Sequence, residues 1–388
     1  MPKLGRLYEA SGETIIGNKL LLIDDQHLGE YMSKKQGIQA VIFIIIFCYL
    51  LITVTYIIRT NGEVKDIFTG FYAEEDNSID VVMIGSSPVY PFYAAPQIWG
   101  EYGISCYPLS SHVQRPSAAL PLIREAYKTQ DPELLIFEMR MYTMEEEHME
   151  TNMAYARGVT DNMKYSLNRI YAINRLVPDK KERYTYYFDI FKYHSNWKTM
   201  ILLDQLASFR YEKKSPLKGF PIRDEVGPLN EDRIPACTGN TELLRIPQIQ
   251  EERLYELLDY LTAQGQEALF IVSPYRIDED EQKMYNYMKP IIEEYGFTFI
   301  NFNQHYDEIG IDFATDYYDY GGHVNALGAA KCSAYLGKIL QADYHLTDKR
   351  QQAGYESWHQ AYTIYKEESE AAIAVIYERI RNQDYAQE

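Results

Sequence analysis

A single uninterrupted apolar run restricts what this chain of 388 residues can become. Gly37–Ile58 has 22 residues without a charged side chain, and its only polar interruptions are Gln39, Thr53 and Thr55. About 20 such residues are needed for a helix to cross the hydrocarbon core of a bilayer. Core helices of soluble domains rarely reach this length without a polar face. The run therefore predicts one membrane-spanning helix, in contact with the lipid bilayer.

The place of the run in the chain favours an uncleaved signal anchor over a signal peptide, because 36 residues precede it and no small-residue cleavage site follows it. The basic residues near its ends are Lys19, Lys34 and Lys35 before it and Arg59 and Lys65 after it. This slight excess favours a cytoplasmic N-terminus. We expect a cytoplasmic tail at 1–36, a membrane helix at 37–58, and an extracytoplasmic main domain held at the cell membrane.

Charge is divided unevenly between these segments. The chain has 38 Lys and Arg against 56 Asp and Glu, a formal net charge of −18. The tail carries five basic and five acidic residues, so the whole excess lies after the membrane helix. Because so acidic a domain repels phosphate backbones, we expect no nucleic-acid partner. A strongly anionic polymer is also disfavoured as a substrate unless arginines such as Arg115 and Arg140 form a local positive pocket.

Beyond residue 77, short apolar runs alternate with amphipathic stretches, which is typical of a parallel sheet covered by helices. Five runs have the composition of strands buried on both faces: Asp80–Ile84, Ser105–Leu109, Leu134–Met139, Ala268–Ser273 and Phe297–Phe302. The helical patterns between and after them are Ala94–Tyr102, Ser117–Thr129, Gln248–Gln264, Glu279–Tyr295 and Ala326–Gln341. We therefore predict a three-layer α/β domain with a five-stranded parallel sheet over residues 78–345.

Three other segments complete the predicted organisation. Residues 141–245 separate the third and fourth strands, and we interpret them as a helical insertion that forms a lid or wall over the site. A purely structural helical cap is the alternative. Residues 59–77 are predicted to be a short juxtamembrane connector. Residues 346–388 are predicted to form a C-terminal helix whose aromatic stripe packs against the domain.

Cysteine usage excludes a disulfide scaffold. Cys48 lies in the apolar run, and the other three are Cys106, Cys237 and Cys332, without a CxxC pair or a histidine at zinc spacing. Buried free thiols are the expected state, and one disulfide between two of the three is the alternative. We expect no metal site and no cofactor.

The first strand ends in the sequence Gly85, Ser86, Ser87, Pro88. In open α/β sheets, ligands bind beyond the carboxyl ends of the strands at the switch point, which the first strand borders. A serine hydroxyl there becomes a nucleophile only when a base accepts its proton. The alternative is that these small residues merely form a strand-to-helix turn.

The stretch DYYDYGGHVNALGAA supplies a candidate base, His323, just before a predicted helix. Asp319 precedes it by four residues and Asp316 by seven. A carboxylate beside a catalytic histidine fixes its tautomer and stabilises the imidazolium. Taken alone, the histidine could equally cap or pack in a helix-entry loop. This fold, however, brings the first strand and the segment after the last strand to one edge of the sheet.

Together these residues resemble the SGNH or GDSL-type hydrolases, especially the membrane-anchored bacterial branch of the alginate O-acetylation and teichoic-acid D-alanylation proteins. The resemblance covers residues 78–340 and rests on the GSS and GGHVNALGA segments. It implies an SGNH-like, flavodoxin-like fold with Ser87 as nucleophile and His323 as base. The acid of the family's D-x-x-H motif would fall on Tyr320, so we assign Asp319 as the acid, with Asp316 as the alternative.

The family's oxyanion-hole glycine, after the second strand, is replaced here by Leu109, Ser110 and Ser111. The resemblance therefore implies that a backbone N–H of this stretch, assigned to Ser111, acts together with that of Ser87. His112 and Gln114 follow directly, and we predict that they line the same cleft, as Arg115 could.

The asparagine of the family's third motif has no counterpart, because the third strand ends in Glu138, Met139 and Arg140. Arg140 is predicted to bind a polar or anionic substrate group, with a structural salt bridge as the alternative.

The predicted function is that of a serine esterase or O-acyl (acetyl) transferase. The resemblance implies a cell-envelope glycan or another acyl ester as substrate and a membrane-bound O-acyltransferase as partner. The alternative is a catalytically inactive SGNH-like scaffold or binding subunit, which the missing asparagine and the displaced aspartate favour. The sequence leaves open the acyl group, its acceptor, and whether the acyl group passes to water or to a sugar hydroxyl.

Overall fold

The computed structural model describes residues 33–145, 154–198, 211, 213–230, 233–234, 237 and 239–386. The chain divides into two compact units, one ending at Val54 and the other beginning at Thr55.

The first described helix is long and apolar enough to cross a membrane, by length and composition. This helix, α1, comprises Lys34–Ile58, and its large apolar side chains, such as Phe43 and Ile45, are exposed. A core helix of a soluble domain would bury such side chains. The last turn of α1 belongs to the second unit, where the Tyr56 hydroxyl lies 3.1 Å from Thr69 Oγ1.

The two basic residues that follow α1 are buried in the second unit. Arg59 is 2% exposed and Lys65 is 4% exposed. The Arg59 guanidinium forms an ion pair with Asp189, with Nη2 2.5 Å from Oδ2, and also donates to the carbonyl of Asp161. Burial is the largest cause that lowers the pKa of Lys65, to about 8.

Within the described residues, the remaining helices of at least four residues are, in chain order, α2 Glu63–Ala73, α3 Val89–Phe92, α4 Ala95–Tyr102, α5 Ala119–Ala126, α6 Ala154–Thr160, α7 Leu167–Leu176, α8 Arg183–Tyr187, α9 Ile190–Tyr193, α10 Gln248–Gln264, α11 Glu279–Glu294, α12 Tyr306–Ile309, α13 Ala326–Asp343 and α14 Glu356–Asn382. Short 3₁₀ turns cover Pro116–Ala118, Arg140–Thr143, Asn196–Lys198 and Phe302–Gln304. The segment predicted as a connector thus contains a helix, α2. Its Ile67, Phe68 and Phe71 are fully buried in the main core.

A five-stranded parallel sheet forms the centre of the second unit. Its strands are β1 Val81–Ile84, β2 Cys106–Pro108, β3 Leu134–Glu138, β4 Ala268–Val272 and β5 Thr298–Asn301. Their spatial order is β2-β1-β3-β4-β5, and every neighbouring pair is parallel. The predicted α/β class with a five-stranded parallel sheet is therefore confirmed. Each strand ends within one residue of the predicted limit.

The strand order places a switch point between β1 and β3. From β1 the chain moves through α4 to β2 on one side, and the later strands are added on the other side through α5, α10 and α11. Since such crossovers are right-handed, α4 covers the opposite face of the sheet from these three helices. The loops at the carboxyl ends of β1 and β3 consequently diverge and leave a crevice.

The C-terminal helix α14 packs on α4, as its aromatic stripe predicts. Trp358 and Trp99 are both fully buried, with ring centres 5.8 Å apart. The Tyr365 hydroxyl donates to Gln97 Oε1 at 2.6 Å. All four cysteines are free thiols, and three of them are buried, so the alternative of one disulfide is not supported.

Candidate active site

Ser87 lies in a tight turn at the carboxyl end of β1. The N–H of Val89 donates to the carbonyl of Ser86 at 3.0 Å, which closes the turn, and Ser86 is buried while Ser87 is partly exposed. A Cβ atom at Gly85 would lie 2.6 Å from the Cβ of Glu138 on β3. Only glycine therefore lets the exit of β1 pass this close to β3.

His323 is supplied by the loop between Tyr317 and Val324, which form an antiparallel bridge. The N–H of Tyr318 donates to the carbonyl of His323 at 3.1 Å. The loop reverses direction at Gly321, whose φ of 89° lies in the left-handed region that favours glycine. This reversal turns the residues before the histidine back onto it.

The segment around Gly227 fixes that loop from outside. The Gly227 N–H donates to Tyr317 O at 2.8 Å, and the Tyr320 N–H donates to Gly227 O at 3.0 Å. On the other side of the histidine, the Asn325 side chain accepts from the N–H groups of Leu327 and Gly328 and so begins α13. His323 is thus held between a clamped loop and a capped helix.

Ser87, His323 and Asp319 form a continuous hydrogen-bonded row. Ser87 Oγ lies 2.8 Å from His323 Nε2, and Asp319 Oδ2 lies 2.6 Å from His323 Nδ1. A carboxylate only accepts hydrogen bonds, so Nδ1 carries the proton and Nε2 is free to accept from the serine hydroxyl. Asp319 Oδ1 also accepts from the backbone N–H of His323 at 2.5 Å.

The other candidate acid, Asp316, has a structural environment. Its side chain is fully buried, and its Oδ2 accepts from Lys331 Nζ at 2.7 Å and from the N–H of Asp312 at 2.8 Å. Burial is the largest cause that raises the pKa of this carboxyl. The structure therefore brings Asp319, and not Asp316, to His323.

Several side chains around the histidine were not identified from the sequence. The Tyr318 ring stacks on the His323 ring, with centres 5.8 Å apart and an angle of 14° between the planes. The guanidinium of Arg223 lies 5.8 Å from the centre of the Tyr318 ring and forms a 2.7 Å ion pair with Glu63. These contacts connect the start of α2 to the histidine.

After β2, two of the three candidate oxyanion donors remain available to a ligand. The N–H of Leu109 donates to Met83 O at 2.8 Å and continues the sheet, so it is not available to a ligand. Ser110 and Ser111 are both fully buried residues. The Ser111 hydroxyl donates to Gln114 Oε1 at 3.2 Å, which holds Gln114 within this turn.

His112 faces a cleft of about 740 Å³. The other lining residues belong to 59–65, 157–162 and 192–193. Nδ1 of His112 lies 2.6 Å from the Tyr90 hydroxyl. Burial of the ring lowers the pKa of His112, although the residue as a whole is exposed. Arg115 is instead buried and donates to Leu176 O at 2.7 Å.

The structure places Arg140 beside the crevice but in a separate cluster. Its guanidinium lies 4.2 Å from the centre of the Tyr275 ring. Among the described residues, neither a salt bridge of Arg140 nor a contact with the serine or histidine is found. The neighbouring Glu138 is buried, its Oε1 accepts from the N–H of Arg140 at 3.3 Å, and its Oε2 has no partner within the described part of the chain. Burial raises the pKa of Glu138 to about 7.

Glu138→Gln is expected to remove a pH-dependent loss of stability. Burial raises the pKa of Glu138 from its ordinary value of 4.5 to about 7 in the folded chain, so the contribution of this carboxyl to stability is fully present below pH 4.5 and is lost as the pH rises through 7. The free energy of unfolding of the parent should therefore fall, relative to the variant, by about 3 kcal/mol between pH 4.5 and pH 8. Urea unfolding of the full chain in detergent measures this difference, with the exposed Glu267→Gln as control. A difference that does not change with pH would contradict the prediction.

No model of a known protein family matches this chain. A search of the curated proteins finds no significant match either.

Proposed function

We propose that this protein is a membrane-anchored, SGNH-like serine esterase or O-acyltransferase. The observation that carries the proposal is the row from Ser87 Oγ through His323 to Asp319, with contacts of 2.8 and 2.6 Å. The row stands at the carboxyl edge of a parallel sheet, beside the switch point where such sheets bind ligands. A serine, a histidine and a carboxylate in this order are the groups that acyl transfer requires.

In the first half of the proposed reaction, Ser87 Oγ attacks the carbonyl carbon of an acyl ester. The serine proton passes to His323 Nε2, and Asp319 stabilises the imidazolium that forms. The negative charge on the carbonyl oxygen is met by the N–H of Ser87 together with that of Ser110 or Ser111. The tetrahedral intermediate then collapses, the ester C–O bond breaks, and the leaving alkoxide takes the proton from Nε2.

In the second half, the acyl group leaves Ser87. Water or a sugar hydroxyl attacks the acyl-serine carbonyl, and His323 Nε2 accepts the proton of the attacking group. The second intermediate collapses, and Ser87 Oγ recovers its proton from the histidine. Water as the attacking group gives hydrolysis, and a sugar hydroxyl gives acyl transfer.

The anchor and the substrate class are parts of the same proposal. Helix α1 has the length and composition of a membrane span, which supports tethering. The cytoplasmic N-terminus is proposed only from the slight excess of basic residues before the helix. The segment between β3 and α10 contributes Arg157 and Lys192 to the wall of the cleft beside His112, whose lining residues do not include Ser87 or His323. The role of this segment as a lid or wall over the site stays a prediction. A small acyl group on a cell-envelope glycan, with a membrane-bound O-acyltransferase as partner, follows from the resemblance to the SGNH family.

The test uses the purified full chain in detergent, an active-serine phosphonate probe and a short-chain aryl ester. We expect labelling and turnover in the parent and their loss in Ser87→Ala and in His323→Ala, with rates at least ~10³-fold lower. Ser86→Ala is the matched control, since Ser86 is adjacent in the chain but buried. It should keep both activities.

The scaffold alternative predicts a different result. A chain that is folded by circular dichroism, yet is neither labelled nor active on any aryl ester tested, would overturn the enzymatic proposal. Labelling that persists in Ser87→Ala would also overturn it, because another residue would then be the nucleophile.

A further inference from the structure

Four large aromatic side chains on the segment from α8 to the turn after α9 are exposed. Their exposed fractions are 56% for Tyr184, 54% for Phe188, 60% for Phe191 and 64% for Trp197. The rings of Tyr184 and Phe191 meet edge to face with centres 6.0 Å apart, and Phe188 and Trp197 lie close to them in the chain. Soluble domains rarely leave such a patch uncovered unless it meets a partner or a membrane.

The segment that carries these four side chains, which we call the aromatic surface, also carries exposed lysines. Lys180, Lys181, Lys192 and Lys198 are exposed, whereas the acids among residues 179–198 are the exposed Asp179, the half-buried Glu182 and the buried Asp189. Asp189 is also neutralised by Arg59, with 2.5 Å between Nη2 and Oδ2. The aromatic surface is thus locally basic on a domain that carries the whole negative excess of the chain.

The aromatic surface is joined to the end of helix α1. Asn196, next to Trp197, donates from Nδ2 to the carbonyl of Ile58 at 3.0 Å and to Thr60 Oγ1 at 3.2 Å. Ile58 is the last residue of α1. The point at which the apolar helix ends and the domain begins is therefore hydrogen-bonded to the residue beside the most exposed of the four rings.

We propose that the aromatic surface docks on the interface of a bilayer that contains anionic lipids. Tyr and Trp favour the headgroup level, Phe favours the acyl boundary, and lysines attract anionic headgroups. The inference rests on the membrane anchor of the proposed function. Lys192, one of the lysines of the aromatic surface, also lines the cleft beside His112, so docking brings this side of the cleft close to the lipid surface.

The chain is well suited to a fluorescence test, because it has only three tryptophans and two of them, Trp99 and Trp358, are fully buried. The full chain is reconstituted into vesicles of phosphatidylcholine and phosphatidylglycerol. The difference between the emission of the parent and that of Trp197→Phe is the signal of Trp197. Lipids with brominated acyl chains should reduce this signal roughly twofold or more, and aqueous iodide should leave it unchanged.

Two matched variants and three outcomes decide the inference. Phe188→Ser with Phe191→Ser should make the Trp197 signal sensitive to iodide, and Leu243→Ser, at an exposed apolar residue elsewhere, should not. Protein that floats with the vesicles while Trp197 is quenched by iodide overturns the docking alone. Shielding from both quenchers also overturns it, because protein would then cover the surface. Failure to float overturns the anchor and the docking together, but not the serine chemistry.

Discussion

Asp319→Asn is expected to lower turnover of an aryl ester by about 10⁴-fold, because an amide can hold the His323 ring in the wrong tautomer. In the parent, Asp319 Oδ2 lies 2.6 Å from Nδ1 and leaves Nε2 free to accept the serine proton. The NH₂ group of asparagine donates a hydrogen bond to Nδ1 and moves the ring proton to Nε2, which then no longer accepts. Steady-state kinetics measure the loss, and it should appear in kcat more than in KM.

Asp316→Asn is the matched variant, since both aspartates precede the histidine by seven residues or fewer. Asp316 is buried against Lys331 and the N–H of Asp312. Its replacement should lower the free energy of unfolding by about 1 to 3 kcal/mol and leave turnover of the folded protein within a few-fold of the parent. Equal losses of turnover in the two variants would contradict the assignment of Asp319 as the acid that holds His323.

Arg59→Met is expected to lower the free energy of unfolding by about 3 to 5 kcal/mol, because it leaves a buried carboxylate without its main partner. Asp189 accepts from Arg59 Nε at 2.7 Å and from Arg169 Nη2 at 3.3 Å, and it is fully buried. Urea unfolding of the full chain in detergent measures the loss. Adding Asp189→Leu to Arg59→Met should recover part of it, since the unpaired charge is then removed.

Arg223→Met provides the comparison for an exposed pair. The side chains of Arg223 and Glu63 are 35% and 25% exposed, and solvent screens their 2.7 Å contact. The expected loss is below ~1 kcal/mol. A loss as large as that of Arg59→Met would mean that burial does not decide the strength of these pairs.

The sheet could be predicted from the sequence because four of its strands are buried along their whole length, and only the edge strand β5 is partly exposed. Such strands are continuous apolar runs, and the five runs found match β1 to β5. Helix α2 escaped prediction since its apolar positions, Val64, Ile67, Phe68 and Phe71, share a short stretch with four charged or polar neighbours. Its buried face becomes evident only when the core that it covers is present.

The serine and the histidine could be identified from local patterns, whereas local patterns left two candidates for the acid, with Asp319 preferred over Asp316. Asp316 and Asp319 are both close to His323 in sequence, and the choice depends on the reversal of the loop at Gly321 and its clamp on Gly227. Gly227 lies in a distant part of the chain. Tyr318 was missed for a related reason: Tyr317, Tyr318 and Tyr320 lie in one short stretch, and only the loop geometry shows which ring meets the histidine.

The buried pair of Arg59 and Asp189 also affects how the protein is made. The two residues are 130 positions apart, and the ribosome adds roughly 5 to 20 residues per second, so about 7 to 26 s pass between their syntheses. During that time Arg59, the first residue after α1, has no partner from the later segment and must stay hydrated. The pair of Arg59 and Asp189 can therefore form only after β1, β2 and β3 have been synthesised, and it precedes β4 and β5 in the chain. Until the pair forms, the end of α1 is accessible to proteases and chaperones in the nascent chain, whereas in the finished fold it is buried.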